Sequence, residues 1–376
     1  MSSGPTIYVH VGLPKTGTTF LQDLLRQHAD ALEREGLRYP LVGAPDHFLP
    51  ALDARGELTF AGVRRPHAEG TWATLVARAA AAPDRAVISH EILATADETH
   101  VRDAMRLLEP YDAHIVVTAR DPARQVVADW QESVKHGRSQ GFEMYLKRGG
   151  VGEGEEGKPG SNTFRAQRLP EVLDRWGGGL PADRVHVVTV PPPGGDPGLL
   201  WQRFAGLLGV RDPARFRPGT SVRRNERLGV AEIELMRRVN GILRQSGGDP
   251  AVRTIAKDVY AQTVLAGVSS SPPPVLPVEL RPRLDEMAQE WTDDISRRGY
   301  DVRGELTDLV PRHLDGPGPI DWTDEQLIDA SVAATAELLL EITRLREQVE
   351  GIPWHKARQL PGVVARRIRS RWLGPR

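Results

Sequence analysis

This 376-residue chain predicts an α/β fold: a parallel sheet covered by helices on both faces, followed by a helical C-terminal region. Three observations predict it. Short apolar runs rich in β-branched residues recur up to about residue 220. Helical patterns separate those runs, and a polar cluster follows most of them at the place where a strand would end. Runs that are apolar on both faces suit strands buried on both sides, as in a parallel sheet between two helix layers.

The first run is 7–11 (I-Y-V-H-V), and it enters the turn Gly12-Leu13-Pro14-Lys15-Thr16-Gly17-Thr18-Thr19. A helical pattern starts at once, with Phe20, Leu21, Leu24 and Leu25 at helical spacing, and extends over about 18–35. Residues 36–39 add a short strand. The run 85–89 ends in Ser89-His90-Glu91, the run 114–119 in Arg120-Asp121-Pro122, and the run 185–190 in three prolines. That makes about five strands. Helices are expected at about 71–82, 100–108, 123–136, 162–176 and 198–208. Residues 137–161 read as a mobile loop, because the glycine-rich stretch 149–160 has nothing to pack; it is either a tolerated insertion or a lid.

After about Glu226 the sheet signals stop. A helical pattern runs from Leu228 to the Gly247-Gly248 break, and another covers 280–298. The Pro/Gly-rich stretch 311–319 is the best boundary in the chain. Residues 1–310 therefore form one α/β domain with its sheet core at 6–220 and a helical part at 221–310. A linker follows at 311–322, then an amphipathic helix and basic tail at 323–376. The tail interleaves Arg366, Arg367, Arg369 and Arg371 with Val363, Ile368 and Trp372, and no acidic residue follows Glu350. Such a segment is a solvated tail, an oligomer or partner helix, or a binder of anionic membrane surfaces.

Composition narrows the function classes. A hydrophobic content of 40% supplies a core, and a net charge of −1 gives no global attraction to nucleic acid or membrane. The absence of cysteine excludes disulfides, a thiolate nucleophile and Cys-ligated metal. No basic start leads into an apolar signal core, and no apolar run approaches the roughly 20 residues of a membrane span, so a cytoplasmic location is expected.

The turn at 12–19 carries the chemistry. A strand, a glycine turn and a helix start place free backbone N–H groups and the positive end of a helix dipole around one point, which suits a phosphate-type anion. Gly12 and Gly17 keep the spacing of the nucleotide-triphosphate loop G-x-x-x-x-G-K-S/T, but Thr18 stands where the lysine belongs, and the lysine lies inside the loop as Lys15. The string Pro14-Lys15-Thr16-Gly17-Thr18-Thr19 resembles the 5′-phosphosulfate-binding loop of sulfotransferases that use 3′-phosphoadenosine 5′-phosphosulfate (PAPS). Arg120-Asp121-Pro122 resembles the start of that family's 3′-phosphate site, where a guanidinium can bind two phosphate oxygens. The family usually has a serine eight residues after this arginine; here the position is Ala128, and Ser133 is the nearest replacement.

The resemblance covers about 6–225 and is strongest to bacterial, particularly actinobacterial, sulfotransferase-family proteins. It implies a P-loop-type sheet, PAPS as co-substrate and adenosine 3′,5′-bisphosphate (PAP) as product. It also implies a small-molecule or glycan acceptor with a hydroxyl group, no nucleic-acid partner and no metal. It assigns Lys15 to charge stabilisation and makes His90 or Glu91 the general base, with His47 a weaker acceptor-site candidate. The family's late basic segment corresponds to Arg223, Arg224 and Asn225, although its G-x-x-G-x-x-K pattern is absent. Two other readings stay open: a P-loop nucleotide kinase or ATPase, and a non-catalytic relative that binds PAP.

Overall fold

The computed structural model describes residues 4–42, 47–60, 63–149, 166–219, 228–247, 249–312 and 322–350. The chain begins with β1 (Thr6–His10), α1 (Thr18–Gln27), α2 (Ala29–Arg34), β2 (Leu37–Arg38) and α3 (Phe48–Ala54). A small antiparallel hairpin, β3 (Thr59–Phe60) and β4 (Val63–Arg64), precedes α4 (Thr71–Ala80), β5 (Arg85–Ser89), α5 (Glu98–Arg106), β6 (Asp112–Ala119) and α6 (Pro122–Lys135). β7 (Val185–Thr189) and β8 (Asp301–Arg303) complete a six-stranded sheet in the order β2-β5-β1-β6-β7-β8. Every neighbouring pair in that sheet is parallel.

Alternation along the strands builds the two faces. Ile7, Val9, Ala86, Ile88, Ile115, Val117, Val185 and Val187 share a core with α4, α5 and the helices Leu169–Gly177 and Arg281–Arg298. Val87, Val116 and Val188 point the other way, onto Leu21, Leu24 and Leu25 of α1 and onto Phe204 of helix Leu199–Leu207. A third cluster joins α6 to the helix Val230–Gln245 and to the start of the long helix Asp324–Glu350. Helices Val230–Gln245 and Arg281–Arg298 thus pack onto α6, the helix that follows Arg120, and the long helix packs onto Val230–Gln245.

Several expectations need correction. The sheet has six strands rather than about five, because Asp301–Arg303 adds an edge strand beyond the point where strand signals end. A three-residue strand of Asp, Val and Arg has no apolar run to announce it. The helix expected over 18–35 breaks at His28, whose Nε2 lies 2.9 Å from the carbonyl of Arg217 and whose ring meets Phe216 edge-on. Within the expected loop 137–161, residues Phe142–Gly149 are helical, because Phe142, Tyr145 and Leu146 bury against α6 and its neighbours. A helix over Pro250–Ile255 runs on as a π-helix, Ala256–Leu265, where no regular element was expected. The glycine-rich stretch proposed as a lid, most of the linker and the basic tail lie outside the described residues. Among the described residues no helix is long and apolar enough to cross a membrane.

Candidate active site

Strand order locates a crevice. The chain leaves β1 toward the β2–β5 side of the sheet and leaves β6 toward the β7–β8 side. The connections diverge between β1 and β6, and such a divergence opens a ligand crevice at the carboxyl ends of the two strands. The glycine loop follows β1 there, and Arg120 follows β6. The N–H groups of Val11 and Leu13 donate to the carbonyls of Val116 and Thr118 at 3.0 and 3.1 Å, so the loop's first half continues the sheet before it turns.

The turn needs left-handed backbone at three places: Gly12 (φ 58°), Lys15 (φ 68°) and Gly17 (φ 86°). Lys15 is the one non-glycine residue with positive φ among the described residues. Strain of this kind collects at functional sites when the surroundings hold it in place. Gly17 is also the N-cap of α1, and no side chain caps that terminus. A Cβ at Gly12 would lie 2.8 Å from Thr18 Cγ2 and 3.3 Å from Glu91 Cβ, so only glycine lets the loop and the β5 end approach this closely. Gly17→Ala should cost about 1–2 kcal/mol from the left-handed backbone alone. Its methyl meets only the yielding tip of Leu200, at 2.5 Å. A urea melt of the variant measures the loss.

Two of the loop's carbonyls are bonded to side chains. Leu13 O accepts from the Thr16 hydroxyl at 2.5 Å, and Pro14 O from Gln125 Nε2 at 3.4 Å. Thr16 is fully buried and its hydroxyl is bonded within the turn; Thr18 is buried and Thr19 exposed. Lys15 Nζ lies 3.1 Å from Glu132 Oε2 on α6, and Glu132 Oε1 lies 3.1 Å from His136 Nε2. Burial pushes the Glu132 carboxyl up, but the bond from His136 and the Lys15 charge outweigh it and hold the group below the usual carboxylate range. Beside it on α6, Asp129 is buried and bonded to Tyr145 and to Gln167 Nε2 at 2.9 Å; burial still wins and lifts it to about 6.

At the end of β5, His90 caps the following 3₁₀ turn: its Nδ1 accepts from the Ile92 N–H at 3.2 Å. Phe48 lies against the His90 ring with centroids 5.7 Å apart. Phe60, from the hairpin, packs edge-on against Phe48, and the Arg65 guanidinium sits 5.3 Å from the Phe48 centroid. Glu91 accepts from Gln22 Nε2 at 3.0 Å and keeps 27% of its side chain exposed. Burial raises its carboxyl, yet the neighbouring His90, its own N–H and Gln22 together leave it below the ordinary value. It is therefore an ionised carboxylate directly beside Gly12. His47 is different: its Nδ1 accepts from the Ser89 N–H at 3.0 Å and its Nε2 lies 2.5 Å from the Pro40 carbonyl, so its ring ties the β5 end to the segment after β2.

Arg120 is buried at the end of β6, with Nη2 donating to the Arg124 carbonyl, while Asp121 caps α6 by accepting from the Arg124 N–H at 2.9 Å. Lys15 and Arg120 thus stand at adjacent strand ends. The groups they contact, Glu132 and Arg124, are eight positions apart on α6, or about 12 Å along its axis. Ser133 lies on a different side of α6 from position 128. Five positions along a helix are about 140° around it, and its hydroxyl donates to Trp130 O at 2.7 Å. Arg223, Arg224 and Asn225 lie outside the described residues. Among the described residues no group of three or more His, Asp or Glu is placed to hold a metal.

Sequence reasoning passed over Glu132, which meets Lys15, over His10, which meets Thr118 beneath the loop, and over Gln22 and Asp129, which bond Glu91 and Gln167. Only α1 periodicity, which puts Gln22 one turn after Thr18, offered a signal for any of them. Comparison with protein-family models, with curated proteins and with solved structures finds no match for this chain.

Proposed function

We propose that this protein is a PAPS-dependent sulfotransferase that moves a sulfuryl group to a hydroxyl acceptor: a carbohydrate, a glycolipid or a secondary metabolite. One observation carries the reading. At the carboxyl ends of β1 and β6, a glycine turn has two of its carbonyls bonded to side chains and a helix terminus without a side-chain cap behind it, and Arg120 follows the adjacent strand. N–H groups at a helix start without a side-chain cap favour an anion with several oxygens. Thr18 in place of the usual lysine, and Lys15 inside the loop, separate it from the Mg²⁺-triphosphate loop.

In the proposed reaction the phosphosulfate supplies the sulfuryl group by in-line displacement. The acceptor oxygen bonds to sulfur as the bond from sulfur to the bridging phosphate oxygen breaks, and the acceptor's proton passes to a base. Lys15 and the N–H groups at the start of α1 hold the charge that builds on the departing phosphate. Lys15 is shared with Glu132 in this structure, so an incoming anion competes with that carboxylate for the ammonium. Glu91 is the better-placed base. His90 already commits Nδ1 to the Ile92 backbone N–H, whereas Glu91 keeps a carboxylate oxygen beside the loop. The Phe48, Phe60 and Arg65 surface beside His90 then borders the acceptor. A cytoplasmic location, where PAPS is made, fits this reading.

The test is a thermal-shift panel of PAP, PAPS, ATP–Mg²⁺ and GTP–Mg²⁺, followed by mass analysis of acceptor mixtures for a gain of one SO₃. Ligand at about 100 times Kd should stabilise the native state by about 2.7 kcal/mol. PAP and PAPS should shift the melt and the nucleotide triphosphates should not. The opposite pattern would establish the kinase or ATPase reading, and PAP binding without turnover on a broad acceptor panel the non-catalytic one.

A further inference from the structure

Beneath the glycine loop, polar side chains from three strand ends, from α1 and from the loop itself form a continuous chain. Gln22 Nε2 lies 3.4 Å from Ser89 Oγ, and Ser89 Oγ lies 2.8 Å from His10 Nδ1. His10 Nε2 lies 3.1 Å from Thr118 Oγ1, which lies 2.6 Å from Thr16 Oγ1. Thr16 in turn donates to Leu13 O at 2.5 Å. His10, Ser89, Thr118 and Thr16 are all fully buried, so each polar atom must find its partner inside this chain.

Hydrogen counting gives the chain one direction. A carbonyl can only accept, so the Thr16 hydroxyl proton points at Leu13 O. Thr16 Oγ1 must then accept from the Thr118 hydroxyl. That spends the only proton of Thr118, so its oxygen accepts from His10, whose proton is therefore on Nε2. Nδ1 is left to accept from Ser89, and Ser89 Oγ is left to accept from Gln22. Every link is satisfied by a neutral imidazole in one tautomer; a second ring proton would displace the Ser89 hydroxyl proton from the chain.

We propose that His10 is a positioning residue: a neutral, Nε2-protonated imidazole that pins the glycine loop from below and ties it to the acceptor-side Ser89, Gln22 and Glu91. The loop's turn depends on the Thr16-to-Leu13 bond, and Thr118 orients that hydroxyl from beneath. Gln22 also donates to Glu91, so the same chain touches the acceptor side. The charged or titratable groups nearest His10 are Glu91 and His90. Its significance for catalysis rests on the proposed anion site; the tautomer does not.

Two substitutions separate the halves of the chain. Glutamine places an amide where Nε2 stands and keeps the Thr118 link; asparagine places one where Nδ1 stands and keeps the Ser89 link. His10→Gln should hold PAP affinity within about threefold, and His10→Asn should weaken it at least tenfold, or about 1.4 kcal/mol. Thr118→Val, isosteric and outside the ring, should match His10→Asn. Equal affinities for the two His10 variants, with wild type binding PAP, would overturn the proposal. Nitrogen NMR of ¹⁵N-histidine-labelled protein, with the His10 signal assigned by its loss in His10→Gln, should show an Nε2–H tautomer at pH 7. An Nδ1–H tautomer or an imidazolium would overturn the proposal whether or not PAP binds. Failure of wild type to bind PAP, with the Nε2–H tautomer present, would remove the sulfotransferase reading and leave the chain of bonds standing.

Discussion

Glu91→Gln is expected to lower kcat for sulfuryl transfer by about 10²–10⁴-fold, the usual contribution of a positioned general base, while PAP affinity stays unchanged. The carboxylate lies against Gly12, on the β5 side of the loop, and its hydrogen bond from Gln22 fixes its orientation. Glutamine keeps the shape and removes the basic oxygen. His90→Gln should cost less than tenfold, because that ring's Nδ1 is already committed to the Ile92 N–H. The pH–rate profile separates the two further. Glu91 sits below the ordinary carboxylate range, so it stays ionised and the rate is flat as pH falls from 8 to 5. A histidine base would instead give a tenfold loss per pH unit below about 6.5. A loss in His90→Gln larger than in Glu91→Gln, or a break near pH 6.5 that His90→Gln removes, would assign the base to His90.

The second large effect is on acid stability. His10 has its pKa pushed down to about 3, because complete burial disfavours the imidazolium more than the Glu91 charge favours it. In the unfolded chain a histidine titrates near 6.5. Between these values the unfolded state binds the proton and the native state does not. Stability is therefore complete above about pH 6.5 and falls by about 1.4 kcal/mol per pH unit below it. The total by pH 3 is roughly 4–5 kcal/mol, a large share of the 5–15 kcal/mol that holds a typical domain.

Asp129 works in the opposite direction. Its carboxyl is raised to about 6, so the native state takes up a proton before the unfolded state does. Its share of the stability is gained as pH falls from about 6 toward 4, by roughly 3 kcal/mol. The two groups nearly offset one another between pH 6 and 4, and the wild type should weaken steeply only below that. His10→Gln should remove the loss and keep the gain, so its stability relative to wild type should rise by roughly 3 kcal/mol from pH 7 to pH 4. Urea unfolding at pH 7, 5 and 4 measures this. A constant difference between the two proteins across that range would show that His10 is protonated in the native state.

The parallel sheet, the helix after the glycine turn and the polar strand ends at Ser89 and Arg120 were legible in the chain. Each is written in neighbouring residues: β-branched runs, a 3.6-residue apolar stripe, glycines at the spacing of a turn. β8 was not, because Asp301–Arg303 is a strand only by virtue of the edge that β7 offers it. The same distinction holds within the candidate site. Lys15 and Gly17 declare themselves by local pattern, while His10 looks like one more residue of an apolar run. Its two partners are 79 and 108 positions away in sequence.

By itself the sequence determined which residues are able to make a glycine turn that carries a lysine, since backbone freedom at glycine and charge on lysine are local properties. Only the tertiary structure decided what each of those residues does. Folding turned Thr16 inward, set Lys15 against Glu132, made a brace of His47 and placed Glu91 beside Gly12. Hydrogen bonds of this kind depend on which strand ends lie side by side, and strand order is settled by the packing of the whole sheet rather than by any one segment.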